Sequence, residues 1–222
     1  MATVLCQNPQ ISINVHSSVR IAGAAGVVYV DPFEIENAPA DAALVLVTHS
    51  HYDHLDPESI RAVAAAGTWF AAPAESVDAL VAAGAPAERV VSVSPGESHE
   101  IAGFAVEVVA AYNLNKNFHP RDNQWVGYVV ESDGRRVYVC GDTDNTPEAR
   151  GVVCDIVCVP VGGTYTTTAE EAADLVAAMN PAPLLAIPEH YGSVAGDKAA
   201  GVRFGKELAA RVGRAVEVAL PY

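Results

Sequence analysis

The stretch Thr48-His49-Ser50-His51-Tyr52-Asp53-His54-Leu55-Asp56 gathers three of the chain's seven histidines and two aspartates. It follows an apolar run at 44–47 (Leu44, Val45, Leu46, Val47) that reads as a buried strand. Side chains alternate along an extended segment, so His49 and His51 leave the strand end on the same side. Asp53 and His54 then fall in a turn, ahead of a helix that Asp56 caps and Pro57 begins. Imidazole nitrogens and carboxylate oxygens, clustered where a rigid strand stops, are what a zinc-like divalent ion needs. A polar turn that happens to be rich in histidine is the plainer alternative, but the pattern is too specific for it.

The rest of the composition narrows the class. With 222 residues, half of them apolar and 18% charged, the chain is globular and long enough to bury a substantial core. A net charge of −14 argues against a nucleic-acid or anionic-membrane partner, since both attract basic patches. The opening Met1-Ala2-Thr3-Val4-Leu5-Cys6 lacks a basic segment followed by a long apolar one, so no signal peptide is expected. No apolar run is long enough for a transmembrane helix. Cys6, Cys140, Cys154 and Cys158 form no C-x-x-C pair, and Cys154 and Cys158 read as small buried thiols. A cytoplasmic location and a small-molecule partner follow as expectations.

Residues 11–15 alternate apolar and polar, a half-buried strand, and a turn at Gly23 and Gly26 leads to a second strand at 27–30. These read as an opening hairpin. His16, on the polar face of the first strand, reads as solvated or as a support for another residue, not as a metal ligand. A helix is expected over 57–66, a short strand over 68–71, a second helix ending near Gly84, and strands over 89–93 and 104–111. The polar segment 112–124 is too long for a simple hairpin and suits the wall of a binding site. Strands over 125–132 and 136–140 flank the turn Asp133-Gly134, and the second ends in Gly141-Asp142-Thr143-Asp144. A strand over 155–161, a capping box of Thr168 and Glu171, and a helix to about Asn180 come next. A strand over 184–188 delivers His190, and a helix over 197–212 and a strand over 215–220 close the chain. Strands alternate with helices throughout, and no repeat or linker interrupts them, so one domain spanning 1–222 is expected.

Three strand ends thus each deliver metal-type side chains: His49, His51, Asp53 and His54 at one, Asp142 at another, His190 at a third. They are too many for one tetrahedral zinc, so two divalent ions are the economical reading, with a carboxylate such as Asp142 able to bridge them. The H-x-H-x-D-H run, the later G-D-T-D and the late H-Y-G together resemble the metallo-β-lactamase-fold hydrolases, in matching order over nearly the whole chain. The small size is similar to the stand-alone bacterial hydrolases related to the lactonase-like branch of that family. The blocks N-K-N-F-H-P, W-V-G-Y and V-P-V-G-G-T-Y are similar to one group within it.

The resemblance implies an α/β (α+β) fold, a four-layered αββα sandwich with metals at the edge between two sheets. It implies His49 and His51 on a first metal, Asp53, His54 and His190 on a second, and Asp142 between them. Zinc is the expected ion, with manganese and iron as the other options. The family usually supplies a third histidine to the first metal just beyond the strand that here ends near Ala111. This chain has Asn113 there, and the nearest histidine is His119. Either His119 folds back as the ligand, the preferred reading because imidazole suits zinc better than an amide oxygen, or Asn113 or water completes a weaker site. Asp31 is either a support for a ligand histidine or simply a turn-forming Asp-Pro. Asp53 and Asp142 would position a metal-bound hydroxide, and Lys116, Arg121, Thr164 and Tyr165 would meet a polar or anionic substrate. The expected activity is hydrolysis of an ester-like, lactone, amide or phosphoester bond. A nuclease or phosphodiesterase of the same superfamily and a catalytically silent metal-binding protein are the rivals.

Overall fold

Two seven-stranded sheets lie face to face, and both are assembled by the same rule. The computed structural model describes residues 4–213 and 215–221, so Met1, Ala2 and Thr3 of the opening segment lie outside the described residues. The first sheet takes β1 (Val4–Gln7), β2 (Gln10–Ile13), β3 (Val19–Gly23), β4 (Gly26–Val30), β5 (Ala42–Leu46), β6 (Ala64–Pro73) and β7 (Val90–Val93) in chain order. The second takes β8 (Ser98–Ile101), β9 (Phe104–Ala110), β10 (Val126–Ser132), β11 (Arg135–Val139), β12 (Ile156–Pro160), β13 (Leu185–Glu189) and β14 (Glu217–Val218) likewise. In each sheet the first four strands pair antiparallel and the remaining pairings are parallel. The residue string shows no repeat, yet the topology repeats.

The strands are apolar on both faces because both are covered. Along β4 and β5, Val28, Val30, Leu44 and Leu46 point inward, where they meet Tyr128, Val130, Ile156 and Cys158 of the second sheet. Their neighbours Tyr29 and Val45 face outward onto Ile60 and Val63 of α1 (Pro57–Val63) and Leu80 of α2 (Val77–Ala82). On the other side, Tyr138, Val157 and Val159 pack against α3 (Pro147–Arg150), α4 (Ala169–Ala178) and α5 (Ala200–Val212) through Ala149, Leu175, Val176, Phe204 and Leu208. The result is the expected helix–sheet–sheet–helix order of four layers. Among the described residues no helix is long and apolar enough to cross a membrane.

Local signals placed most elements. Asp56 caps α1 by accepting from Glu58 N and Ser59 N, and Thr168 and Glu171 close their capping box at α4. Three readings need correction. The opening hairpin is not strand 11–15 against strand 27–30, because β3 lies between β2 and β4 and pairs with both. The helix read to residue 66 stops at Val63, since Ala64 turns extended and 64–73 becomes a strand. Pairing with β5 and β7 outweighs the helix propensity of its alanines. The last strand is only Glu217–Val218.

A candidate metal centre

Parallel strands in an open sheet present their functional loops at their carboxyl ends. Here Asp31 follows β4, the segment 48–54 follows β5, Asp142 follows β11 and His190 follows β13. These ends converge between the sheets. His49, His51 and His119 bring donor atoms within 4.8 Å of one another, and so do His16, Asp53, His54 and His190. Asp142 stands between the groups: its Oδ2 is 3.1 Å from His119 Nε2 and 3.1 Å from His190 Nε2, and its Oδ1 is 3.3 Å from His54 Nε2.

Close approach here is not hydrogen bonding. The Nε2 atoms of His54, His119 and His190 and the Oδ1 of Asp142 are all buried, and none has a partner in hydrogen-bond geometry. Lone pairs aimed at a common centre instead of at one another are what ligands of a cation present. The donor set of imidazoles and carboxylates suits zinc or a related ion. By this test the residues fit a divalent metal.

Hydrogen bonds behind the rings determine which nitrogen faces the centre. Asp31 Oδ2 is 2.7 Å from His54 Nδ1 and accepts the Thr48 hydroxyl at 2.6 Å. Having donated to Asp31, Thr48 Oγ1 can only accept from His49 Nδ1, 2.9 Å away. One buried carboxylate thereby sets two tautomers, His54 directly and His49 through Thr48, and turns both Nε2 atoms inward. On the far side, His119 Nδ1 is 3.2 Å from Asn113 Oδ1, which leaves Nε2 for the centre. Asn113 donates in turn to Asp144 Oδ1 at 3.2 Å and to the Tyr165 carbonyl at 2.9 Å, and Lys116 Nζ donates to Asp144 at 2.6 Å. Asn113 therefore faces His119 and not the centre.

The electrostatics follow from burial and from these neighbours. Burial opposes charge on Asp142, but His190 and His54 beside it hold its carboxyl well below the usual range. Burial lowers His49, His51 and His16, keeping these rings neutral, the form that binds metal. His54 goes the other way: burial is outweighed by Asp142 and Asp31, which push it up to about 10 in the metal-free protein. Glu189, buried just before His190, is raised well above the carboxylate range by burial and by Asp142.

The backbone is bent to make this arrangement. His16, Asp31 and His190 all have positive φ, 55°, 47° and 57°, a conformation that non-glycine residues accept only where packing imposes it. Gly141 (φ 64°) has no room for a side chain, since a Cβ would lie 2.6 Å from the Val126 carbonyl. That contact explains the glycine of G-D-T-D directly before Asp142. Gly162 meets the His190 carbonyl in the same way, which explains the first glycine of V-G-G-T-Y.

Several placements differ from the sequence reading. His16 is not solvated: it is fully buried in the turn between β2 and β3, 3.3 Å from Asp53 Oδ2, with its ring centroid 3.8 Å from that of His190. Alternation along a strand misled, because β2 ends at Ile13 and the turn reverses the side chain. Asp31 contacts His54 directly, which agrees with the first of its two readings, a support for a histidine, over the plain turn. Lys116 is paired with Asp144, Arg121 with Glu148 at 2.7 Å, and Thr164 is exposed outside the pocket. Tyr165 does line it. Trp125 escaped the sequence reading, yet its ring lies 4.8 Å from those of His49 and His51 and walls the first group. Its position at the end of the long polar loop was the available signal.

A family model described as a beta-lactamase superfamily domain matches residues 10–190. A UPF0173 metal-dependent hydrolase of Thermoplasma acidophilum is 32% identical over 219 residues, covering 93% of each chain. Another from Nitratidesulfovibrio vulgaris strain Hildenborough is 30% identical over 210 residues, covering 87% of this chain and 84% of that one. Among solved structures, a candidate metal-dependent hydrolase from Parabacteroides distasonis superposes with a TM-score of 0.79 at 28% identity, over 96% of this chain and 92% of that one.

Proposed function

The chain belongs to the beta-lactamase superfamily, among its metal-dependent hydrolases, and on that premise we propose that it cleaves an ester-like, lactone, amide or phosphoester bond in a small molecule. The reading takes residues 1–222 as one domain and two divalent ions, zinc first among them, as its cofactors. His49, His51 and His119 would hold one ion, and Asp53, His54, His190 and His16 the other, with Asp142 shared. The position of Asp142, facing both groups through orphaned donor atoms, is the observation that carries the proposal.

When bound, two such ions lower the pKa of a water toward neutrality and polarise the oxygen of the bond being cut. The protein's share is positioning. Asp31 and Asn113 hold the ligand rings in one orientation, so little reorganisation is needed during the reaction. Asp53 sits in the pocket wall, where its carboxylate can accept a hydrogen bond from the attacking water and orient it. Cys6, Cys140, Cys154 and Cys158 are all unpaired, which supports a reducing compartment, the cytoplasm.

The test is a panel of chromogenic esters, lactones and phosphodiesters assayed with zinc and with manganese. Activity lost on chelation and restored by metal is expected, together with loss of both metal and activity in Asp142→Ala. Unchanged turnover after complete metal removal would overturn the reading.

A further inference from the structure

The centre opens into a cavity of about 320 Å³, at the small end of the roughly 300–1,000 Å³ usual for small-molecule sites. Beyond the metal-type residues its walls are Tyr52, Phe118, Tyr165 and Val194. These side chains come from four different loops, and all are exposed: Tyr52 68%, Phe118 47%, Tyr165 38% and Val194 38%. Single exposed apolar residues need no explanation, but four ringing one opening do. The wall is also preformed. Phe118 and Tyr165 meet edge to face with centroids 4.7 Å apart, and the Tyr165 carbonyl is held by the same Asn113 that holds His119.

Among the described residues no lysine or arginine lines this cavity. The two cations of the neighbouring loop are turned to other work, Lys116 onto Asp144 and Arg121 onto Glu148. A bound metal pair attracts the oxygens of the bond that faces it. Whatever extends past that bond meets aromatic and aliphatic surface. An anionic substituent placed there would lose water without gaining a counter-charge, in a chain whose net charge is −14.

Resting on the hydrolytic reading above, we propose that the substrate carries, beyond the bond to be cleaved, an uncharged aromatic or aliphatic group, and no phosphate or carboxylate. This replaces the expectation that Lys116 and Arg121 receive an anionic substrate.

The experiment uses the full-length, zinc-loaded protein and pairs of compounds matched in the reacting bond. One pair is 4-nitrophenyl hexanoate against mono-4-nitrophenyl adipate. The other is 4-nitrophenyl phenylphosphonate against 4-nitrophenyl (4-carboxyphenyl)phosphonate. In each pair that turns over, kcat/KM of the member with the apolar substituent is expected to exceed its charged counterpart by at least about tenfold. Phe118→Ala and Tyr165→Ala should raise KM for that member with kcat and zinc content retained, and Val194→Lys should narrow the gap. Equal or faster turnover of the charged member overturns the inference, as does a gap indifferent to all three substitutions. If neither pair is hydrolysed, the hydrolytic reading of these bonds fails. Calorimetric binding of the intact esters then decides the inference by itself: tighter binding of the hexanoate supports it, and equal or tighter binding of the adipate overturns it.

Discussion

His119 and Asn113 are locked together: Asn113 Oδ1 lies 3.0 Å from the backbone N of His119 and 3.2 Å from its Nδ1. The backbone N of Asn113 donates to the His119 carbonyl at 2.8 Å, closing the loop between them. A five-residue excursion is thus folded back so that an imidazole, not an amide, reaches Asp142. The asparagine just beyond the strand thus supports the histidine that faces Asp142.

His119→Ala therefore removes a donor atom and should abolish tight binding of one of two ions. Asn113→Ala keeps the donor but loosens its ring, an effect of about 10–100-fold on affinity with stoichiometry retained at saturation. Metal titration followed by elemental analysis reads both. Loss of an ion in Asn113→Ala with none lost in His119→Ala would reverse the assignment.

His16 faces Asp53 and lies against His190 with its ring tilted by 43°. His16→Ala should weaken the ion held by that group by at least about tenfold, leaving the His49, His51 and His119 group loaded. Two-step titration with a chromophoric chelator resolves the sites, and unaltered binding at both would exclude His16 from the centre.

Tyr128 is fully buried and its hydroxyl donates 2.8 Å to the carbonyl of Val47, the residue before the histidine-rich segment. Tyr128→Phe leaves that carbonyl without this donor and should cost about 1–3 kcal/mol of stability. The check is the urea midpoint of the metal-free protein at constant m-value, and an unshifted midpoint would show that the bond carries no net weight.

Burial pushes the Cys154 thiol up to about 12 and raises Cys140 and Cys158 well above the ordinary thiol range. Since the thiolate is the reactive form, raising the pH from 7 to 9 should leave these three unlabelled in the folded protein. Only Cys6, half-buried at the end of the first sheet, should react with a thiol reagent. Four labels in urea and one in buffer is the expected mass-spectrometric result, and fast labelling of Cys140 would contradict the burial.

The sequence alone determined the ligand types and most strands, because both are written locally. A divalent ion needs particular atoms, and His49 to His54 supply them in one turn. Apolar runs such as 44–47 announce strands covered on both faces whatever lies across from them. Tertiary structure decided the rest. It placed β3 between two strands that looked like partners, since sheet pairing joins segments by hydrogen bonds that composition does not encode. It drew His16 into the centre through a turn with positive φ, a reversal that alternation along a strand cannot reveal. It turned His119 and not Asn113 toward Asp142, because which of two side chains faces that carboxylate depends on loop closure and on Asp144 and Tyr165, both distant in sequence. His49 to His54 could declare a metal, but only the convergence of four strand ends between two sheets could bring His16, Asp142 and His190 beside them.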